Sequence, residues 1–380
     1  MTSTRISSAG PSISPAEIAL VSEAVREGWG EKMNWYIDQF VAEFSEFVGV
    51  PYCLPTAHCT DAIHLAMLAL DIGPGDEVIV PDLTWVASAA PICYVGATPV
   101  FADVDSVSLC ISAESIERCI TPRTKAVVVV DLLGNMPDWQ PILELCRRKH
   151  IRIIEDAAEG LGATYEGRNA GTFGDISLFS FNATKLIMSG QGGALCTNNF
   201  DLFSKAKLHS HHGIDKSQSG RYYWSSVIGY NYNWTNIQAA LALAQLRRIT
   251  ELIAYKRWLY AEYKSGLSSI GGVELCAAKP NVSATYWISS VMVDPILGFD
   301  KERLASEFSK YEIDMRPMFY PLSSMPPFQK YTPNCSDLSR TNLVTYAKSR
   351  FGVCLPNGNN LRSQDVSRVC SVFGQILATA

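Results

Sequence analysis

A chain of 380 residues with 47% hydrophobic and 18% charged positions is too long for one small core and too apolar to stay disordered. Its formal charge of -5 is interspersed, with no basic block longer than Arg147-Arg148-Lys149, which gives no footprint for nucleic acid. The opening MTSTRISSAGPSISP lacks the apolar centre of a signal peptide, and no stretch approaches membrane-spanning length. These features predict a cytoplasmic protein that engages neither membrane nor nucleic acid.

The eleven cysteines are scattered, without a C-x-x-C pair, and several lie in apolar runs (Cys93, Cys196, Cys354). They read as buried free thiols. The six histidines lack ligand spacing, so no metal is expected.

The first predicted helix runs from Ser14 to Gly30. Ser14 suits the N-cap, Pro15 the first turn and Glu17 the third position. A second amphipathic helix covers Tyr36 to Val48 and stops at Gly49. Strands and helices then alternate. Strands are expected at Tyr52–Leu54, Val78–Val80, Pro99–Ala102, Ala126–Val130, Ile151–Glu155 and Ile176–Phe181. Helices are expected at Thr60–Leu70, Ala87–Val95, Ser112–Cys119 and Pro137–Lys149. The run Ala126–Val130 has no polar interruption and predicts a strand buried on both faces. Such alternation predicts an α/β fold with a mostly parallel sheet between helices, and ligands at the carboxyl ends of its strands.

Beyond Gly193 the pattern changes. Asn236 to Leu267 reads as one long helix leading into a second, smaller unit. That unit holds a strand (Tyr286–Val293), a helix (Lys301–Tyr311), the segment RPMFYP from Arg316, and a last helix (Asp365–Leu377). The expected division is a large domain over 1–245 and a small one over 246–380.

The stretch from Ile151 to Gly193 carries the chemistry. One apolar run delivers Asp156 into small residues, and the next delivers Ser180 and then Lys185 before the glycines 190, 192 and 193. A buried carboxylate needs a cation or a strong donor. A lysine in an apolar setting becomes a usable nucleophile. A carboxylate at one strand end and a lysine past the next suit pyridoxal phosphate, whose ring nitrogen wants an aspartate and whose aldehyde wants a lysine. Thr60 and Asp61 open a helix directly after a strand, a setting that binds phosphate through backbone N–H groups. Trp85, at another strand end, offers a flat face for stacking. Each feature alone has an ordinary structural explanation: a capping carboxylate, a solvated lysine, a core tryptophan.

Together, in this order, they resemble the DegT/DnrJ/EryC1/StrS aminotransferases, which are pyridoxal 5'-phosphate (PLP) enzymes of fold type I. The resemblance covers nearly the whole chain. It is carried by GDEVIVPDLTWVASA (75–89), GATPVFADVD (96–105), IEDAAEGLGATYEGRNAGTFGDISLFSF (154–181), TK and SGQGGAL within 184–195, IGYNYNWTNIQAALALAQL (228–246) and RPMFYPLSSMP (316–326). It implies a large domain with a seven-stranded, mostly parallel sheet and a smaller C-terminal α/β domain. It also implies Lys185 as the Schiff-base lysine, Asp156 as partner of the pyridine nitrogen and Trp85 as the stacking ring. Thr60, Asp61 and Ser180 match the phosphate site, and Glu159 falls near the cofactor's 3-hydroxyl. Asn231 or Asn233 would reach the phosphate of the neighbouring subunit, which implies a homodimer with shared sites. His211, His212, Arg316 and Tyr320 are candidate substrate contacts.

Three departures stand out: Ala57-His58-Cys59 before Thr60, Gln191 in place of a glutamate, and Asn182-Ala183-Thr184 before the lysine. Within the family the chain is most similar to the GDP-perosamine synthase group, through DAAEGLGA, VIGYNY-x-x-TNI-x-AA and RP-x-FYP-x-x-x-MP. This implies amino transfer from L-glutamate to a nucleotide-linked keto-deoxy sugar, of the GDP-4-keto-6-deoxy-mannose type giving perosamine, for surface polysaccharide or glycoside biosynthesis. UDP- and dTDP-linked sugars are the nearest alternatives. A sugar dehydratase of this scaffold carries histidine where Lys185 stands, and a non-catalytic regulator has no need of Lys185, Asp156 and the phosphate residues together.

Overall fold

The structure is a computed structural model, and it describes residues 5–215, 222–332 and 338–378. Seven strands form the main sheet in the spatial order Tyr52–Thr56, Gly193–Thr197, Ile176–Ser180, Arg152–Asp156, Thr124–Val130, Glu77–Pro81, Thr98–Ala102. Of these seven, Gly193–Thr197 alone runs antiparallel to its neighbours. The expected mostly parallel sheet is present. Val127, Val128 and Val129 are fully buried, as an uninterrupted apolar strand covered on both faces requires.

Helices cover the sheet. Pro15–Glu27 begins with the expected capping box on Ser14 and Glu17, and Trp35–Val48 ends on Gly49 in the left-handed region at φ 87°. A second, four-stranded antiparallel sheet (Val273–Leu275, Ser290–Val293, Gly352–Cys354, Arg316–Pro317) has its own core of Leu259, Tyr263, Val291, Phe308, Val369 and Phe373. All ten described cysteines are free; Cys196 and Cys354 are buried and Cys93 is half-buried, while Cys335 lies outside the described residues. No helix among the described residues is long and apolar enough to cross a membrane.

Three elements depart from the sequence pattern for local reasons. The long helix breaks into Asn236–Leu246 and Ile249–Leu267. At the break the Arg248 guanidinium turns aside to meet Glu17 at 2.6 Å and Ser12 Oγ at 2.9 Å. The predicted strand from Tyr286 starts only at Ser290, because Tyr286 adopts φ 53° and the chain peels away from the sheet before rejoining it. The predicted helix Ala87–Val95 is a 3₁₀ turn, Val86–Ser88, followed by Ala90–Tyr94. The strand Gly193–Thr197 and the helices Phe200–Ser210 and Leu343–Phe351 lie where no element was predicted.

Candidate active site

The carboxyl ends of five strands that run in one direction open into one cavity of about 600 Å³, which the second sheet closes from the other side. Its wall includes Thr60, Trp85, Ser88, Asp156, Glu159, Ser180, Lys185, Trp287, Arg316 and Tyr320. Asp61, His211, His212, Asn231 and Asn233 are not part of this wall.

Asp156 ends its strand 4% exposed. Ser88 Oγ donates to one carboxylate oxygen at 2.7 Å, and the Ala158 amide donates to the other at 3.2 Å. Burial pushes its pKa up, against the pull of Ser88, the Ala158 amide and Lys185. A buried carboxylate with two donors and a distant cation is a receptor for a further positive group.

The Lys185 ammonium lies 3.5 Å from Glu159 Oε1 and 3.9 Å from the centre of the Trp287 ring. The Trp287 indole N–H donates to the Thr184 carbonyl at 2.8 Å, so one side chain cradles the lysine and pins its approach. The left-handed turn at Tyr286, ahead of the late-starting strand, places Trp287 here. Glu159 is fixed from behind by the Leu133 amide at 2.7 Å, and burial raises its pKa while Lys185 lowers it.

Thr60 lies in the first turn of Cys59–Ala69, a helix with no side-chain cap, which leaves its leading N–H groups to an anion. Asp61 turns aside to His58 at 3.2 Å. Gly193 packs directly against this helix start. A Cβ at position 193 would lie 2.5 Å from the Cys59 amide nitrogen, so only glycine lets the antiparallel strand approach so closely.

The departures noted in the sequence are tied into this wall. Asn182 Nδ2 donates to Gln191 Oε1 at 3.1 Å, and the Gln191 carbonyl accepts from Ser189, Gln238 and Trp234. Trp85 is 58% exposed, so its face is free for a flat ligand. Tyr320 rests on the buried Lys301 ammonium, 3.4 Å from its ring, and donates to Glu302 at 2.7 Å. On a separate exposed segment, Asn233 Nδ2 reaches His211 Nδ1 at 2.7 Å and Asn231 Oδ1 at 3.0 Å.

Ser88, Trp287 and Gly193 were not read from the sequence. Ser88 is a small residue in a loop, Trp287 looked like a strand residue, and Gly193 was one of a cluster.

The cavity fits pyridoxal phosphate. A buried carboxylate awaits a cation, a lysine faces the same space, an uncapped helix start awaits an anion, and an exposed indole faces the gap between them. Fold and cavity together define a PLP-dependent aminotransferase of fold type I. The model of the DegT/DnrJ/EryC1/StrS aminotransferase family matches residues 11–373, and the chain belongs to this family. It is 37% identical to a GDP-perosamine synthase of Caulobacter vibrioides, over 98% of each chain. It is also 37% identical to a GDP-perosamine synthase of Escherichia coli O157:H7, over 96% of each. A Streptococcus pneumoniae protein solved in its PLP form superposes with a TM-score of 0.89 at 25% identity, covering 99% of each chain.

Proposed function

We propose that this enzyme transfers the amino group of L-glutamate to a GDP-linked 4-keto-6-deoxy sugar, giving a perosamine-type product. The observation that carries the reading is the pairing of Asp156 and Lys185 across one cavity, in a chain alike from end to end to two GDP-perosamine synthases.

Thr60 and Ser180 would hold the cofactor's phosphate, with Asp61 in the same helix turn but turned to His58. Trp85 would cover its ring, Asp156 would meet its ring nitrogen, Glu159 would stand by its 3-hydroxyl and Lys185 would hold its aldehyde. Bound pyridoxal phosphate supplies an electron sink for charge developing at the donor's α-carbon. Lys185 Nζ removes the proton from that α-carbon and later delivers a proton to the sugar carbon that receives the amine. Glu159 and Trp287 hold Nζ in place between these tasks. Ser88 pulls the Asp156 pKa down against the rise that burial imposes. The two substrates use one cavity in turn, which requires ping-pong kinetics.

Asn231 or Asn233 completes the phosphate site of a second copy, in a homodimer. Both residues stay off their own chain's cavity wall, and Tyr222, Tyr223 and Ile228 nearby are 93%, 88% and 85% exposed. Free cysteines fit a reducing cytoplasm.

The test is a screen of GDP-, UDP- and dTDP-linked 4-keto-6-deoxy sugars with glutamate and PLP-loaded protein, with the amino sugar read by mass spectrometry. The GDP-linked substrate should be turned over fastest. A Lys185→Ala protein that still aminates any of them would refute the assignment.

A further inference from the structure

Three consecutive residues of the cavity wall hang on one buried ammonium. Met318, Phe319 and Tyr320 follow the short strand Arg316–Pro317, and all three line the cavity. Lys301 opens the helix Lys301–Ser309 against them and is 2% exposed. Its Nζ donates to the Met318 carbonyl at 3.0 Å and to Ser349 Oγ at 3.1 Å. Ser349 Oγ in turn donates to the Phe319 carbonyl at 2.6 Å. The ammonium also lies 3.4 Å from the centre of the Tyr320 ring. The next residue, Glu302, accepts from the Tyr320 hydroxyl at 2.7 Å, so the ring is held both by its face and by its edge.

This arrangement places a charge where packing needs none. A methionine would fill the same length without the cost of desolvating an ammonium. Both hydrogen-bond partners of Nζ are neutral oxygens, and the acid next to it in the chain is turned to Tyr320. An ammonium taken out of water and set over an aromatic ring makes a stronger cation–π contact than an exposed one. Met318 is buried, whereas Tyr320 is 47% exposed and marks the mouth of the cavity. Phe319 between them meets Trp85, with ring centres 6.2 Å apart. The three residues run from floor to mouth along one side of the site.

We infer that Lys301 is a positioning residue for the keto-sugar half of the reaction, its ammonium holding Met318, Phe319 and Tyr320 as one fixed lip along which the sugar nucleotide is aligned. The inference rests on the sugar aminotransferase reading. The lip serves the acceptor more than the donor because of size. An amino acid is short enough to lie within the cavity, whereas a nucleotide-linked sugar must run out through the mouth, past Tyr320. Contacts made there bring the keto carbon into place, so a loose lip lowers rate as well as affinity. The ammonium is also the part of the brace that titrates. Burial lowers the Lys301 pKa to about 8, while Glu302 and Asp300 at the start of its helix, and Cys354 from the strand Gly352–Cys354, raise it. The Tyr320 hydroxyl, bonded to Glu302, is pushed up from its ordinary range. The lip is therefore braced below about pH 8 and loses its cation above it.

Each half-reaction of the PLP-loaded protein is followed by cofactor absorbance in single turnover, glutamate loading the amine and the GDP-linked 4-keto-6-deoxy sugar discharging it. Lys301→Met should slow the sugar half by about 3- to 30-fold at neutral pH and leave the glutamate half within about twofold. Tyr320→Leu, at an exposed position that leaves the core intact, should slow the sugar half more than the glutamate half, even where Lys301→Met does not fold. The double variant should be little slower than Tyr320→Leu alone, since the two residues share one interaction. Lys301→Arg, which stays charged at high pH, should carry the alkaline limb of the sugar half beyond about pH 8, a shift that a merely structural lysine would not give. Independently of any sugar, amide hydrogen exchange of the peptide 316–322 should be at least about threefold faster in Lys301→Met and near wild type in Lys301→Arg. Equal slowing of both half-reactions would overturn the inference, as would additive losses in the double variant or exchange indifferent to Lys301→Met. If exchange responds to Lys301 but no nucleotide-linked keto-sugar is aminated, the brace is upheld and the acceptor reading falls.

Discussion

Replacing Ser88 by alanine removes the strongest donor to Asp156 and leaves the rest of the cavity in place. The hydroxyl sits 2.7 Å from a carboxylate that is 4% exposed. A hydrogen bond to a buried charged group contributes about 1.5–3 kcal/mol. Its loss raises the Asp156 pKa further, since Ser88 is the donor that most opposes burial there. The sign follows from burial, which already holds this pKa above its ordinary value. A carboxylate whose folded pKa is raised weakens the fold once pH climbs above its unfolded pKa, and is harmless below it. The apoprotein of Ser88→Ala should therefore match the wild type in urea unfolding near pH 4. It should fall behind as pH rises through the folded-state pKa of Asp156, by up to about 1.5–3 kcal/mol. In the loaded enzyme the acid limb of kcat/KM for glutamate should move to higher pH. An equal loss of stability at both pH values, with an unmoved acid limb, would show that Ser88 fills space and does not hold the charge on Asp156.

Three further outcomes can be checked separately. Trp287→Leu removes the ring under Lys185 and the bond to Thr184; single-turnover rates with glutamate should drop about 2- to 30-fold, the equivalent of a cation–π contact of ~0.5–2 kcal/mol, while cofactor still binds. Gly193→Ala places a Cβ 2.5 Å from the Cys59 amide nitrogen; calorimetry should show a loss of about 1–3 kcal/mol, and a fluorescence titration should show PLP binding at least tenfold weaker. Glu17 is pushed up by burial but held at about 2 by Ser14 and Arg248. Its contribution of about 3 kcal/mol is complete above its unfolded pKa and is lost as pH falls from about 4.5 towards 2. Thermal scans of Glu17→Gln should show reduced stability at pH 7 and a flatter fall across that acid window; parallel curves for both proteins would refute the role.

Much of this protein is written in local pattern. The uninterrupted valines of Thr124–Val130 dictate a strand covered on both faces, because no side of it tolerates water. The alternation of such strands with amphipathic helices leads to a parallel sheet, and a parallel sheet places its ligands at its carboxyl ends. Asp156, Ser180, Lys185, Thr60 and Trp85 were legible for that reason: each follows a strand that the pattern marks.

The antiparallel strand Gly193–Thr197 was not legible, since a glycine-led segment gains its strand character from pairing on both edges. Nor was the break at Arg247-Arg248, because local spacing there favours helix and only the distant Glu17 and Ser12 draw Arg248 aside. Trp287 looked like one more residue of a strand until a left-handed turn at Tyr286 aimed it at Lys185. Ser88 has the same explanation as these. Their partners lie far along the chain, and a pKa or an unpaired charge is set by what the tertiary structure brings within a few ångströms. Periodicity and strand-end chemistry determine the scaffold and the identity of the reacting groups. Burial, close approach and the direction of each side chain are decided by packing between elements, and these control what the groups can do.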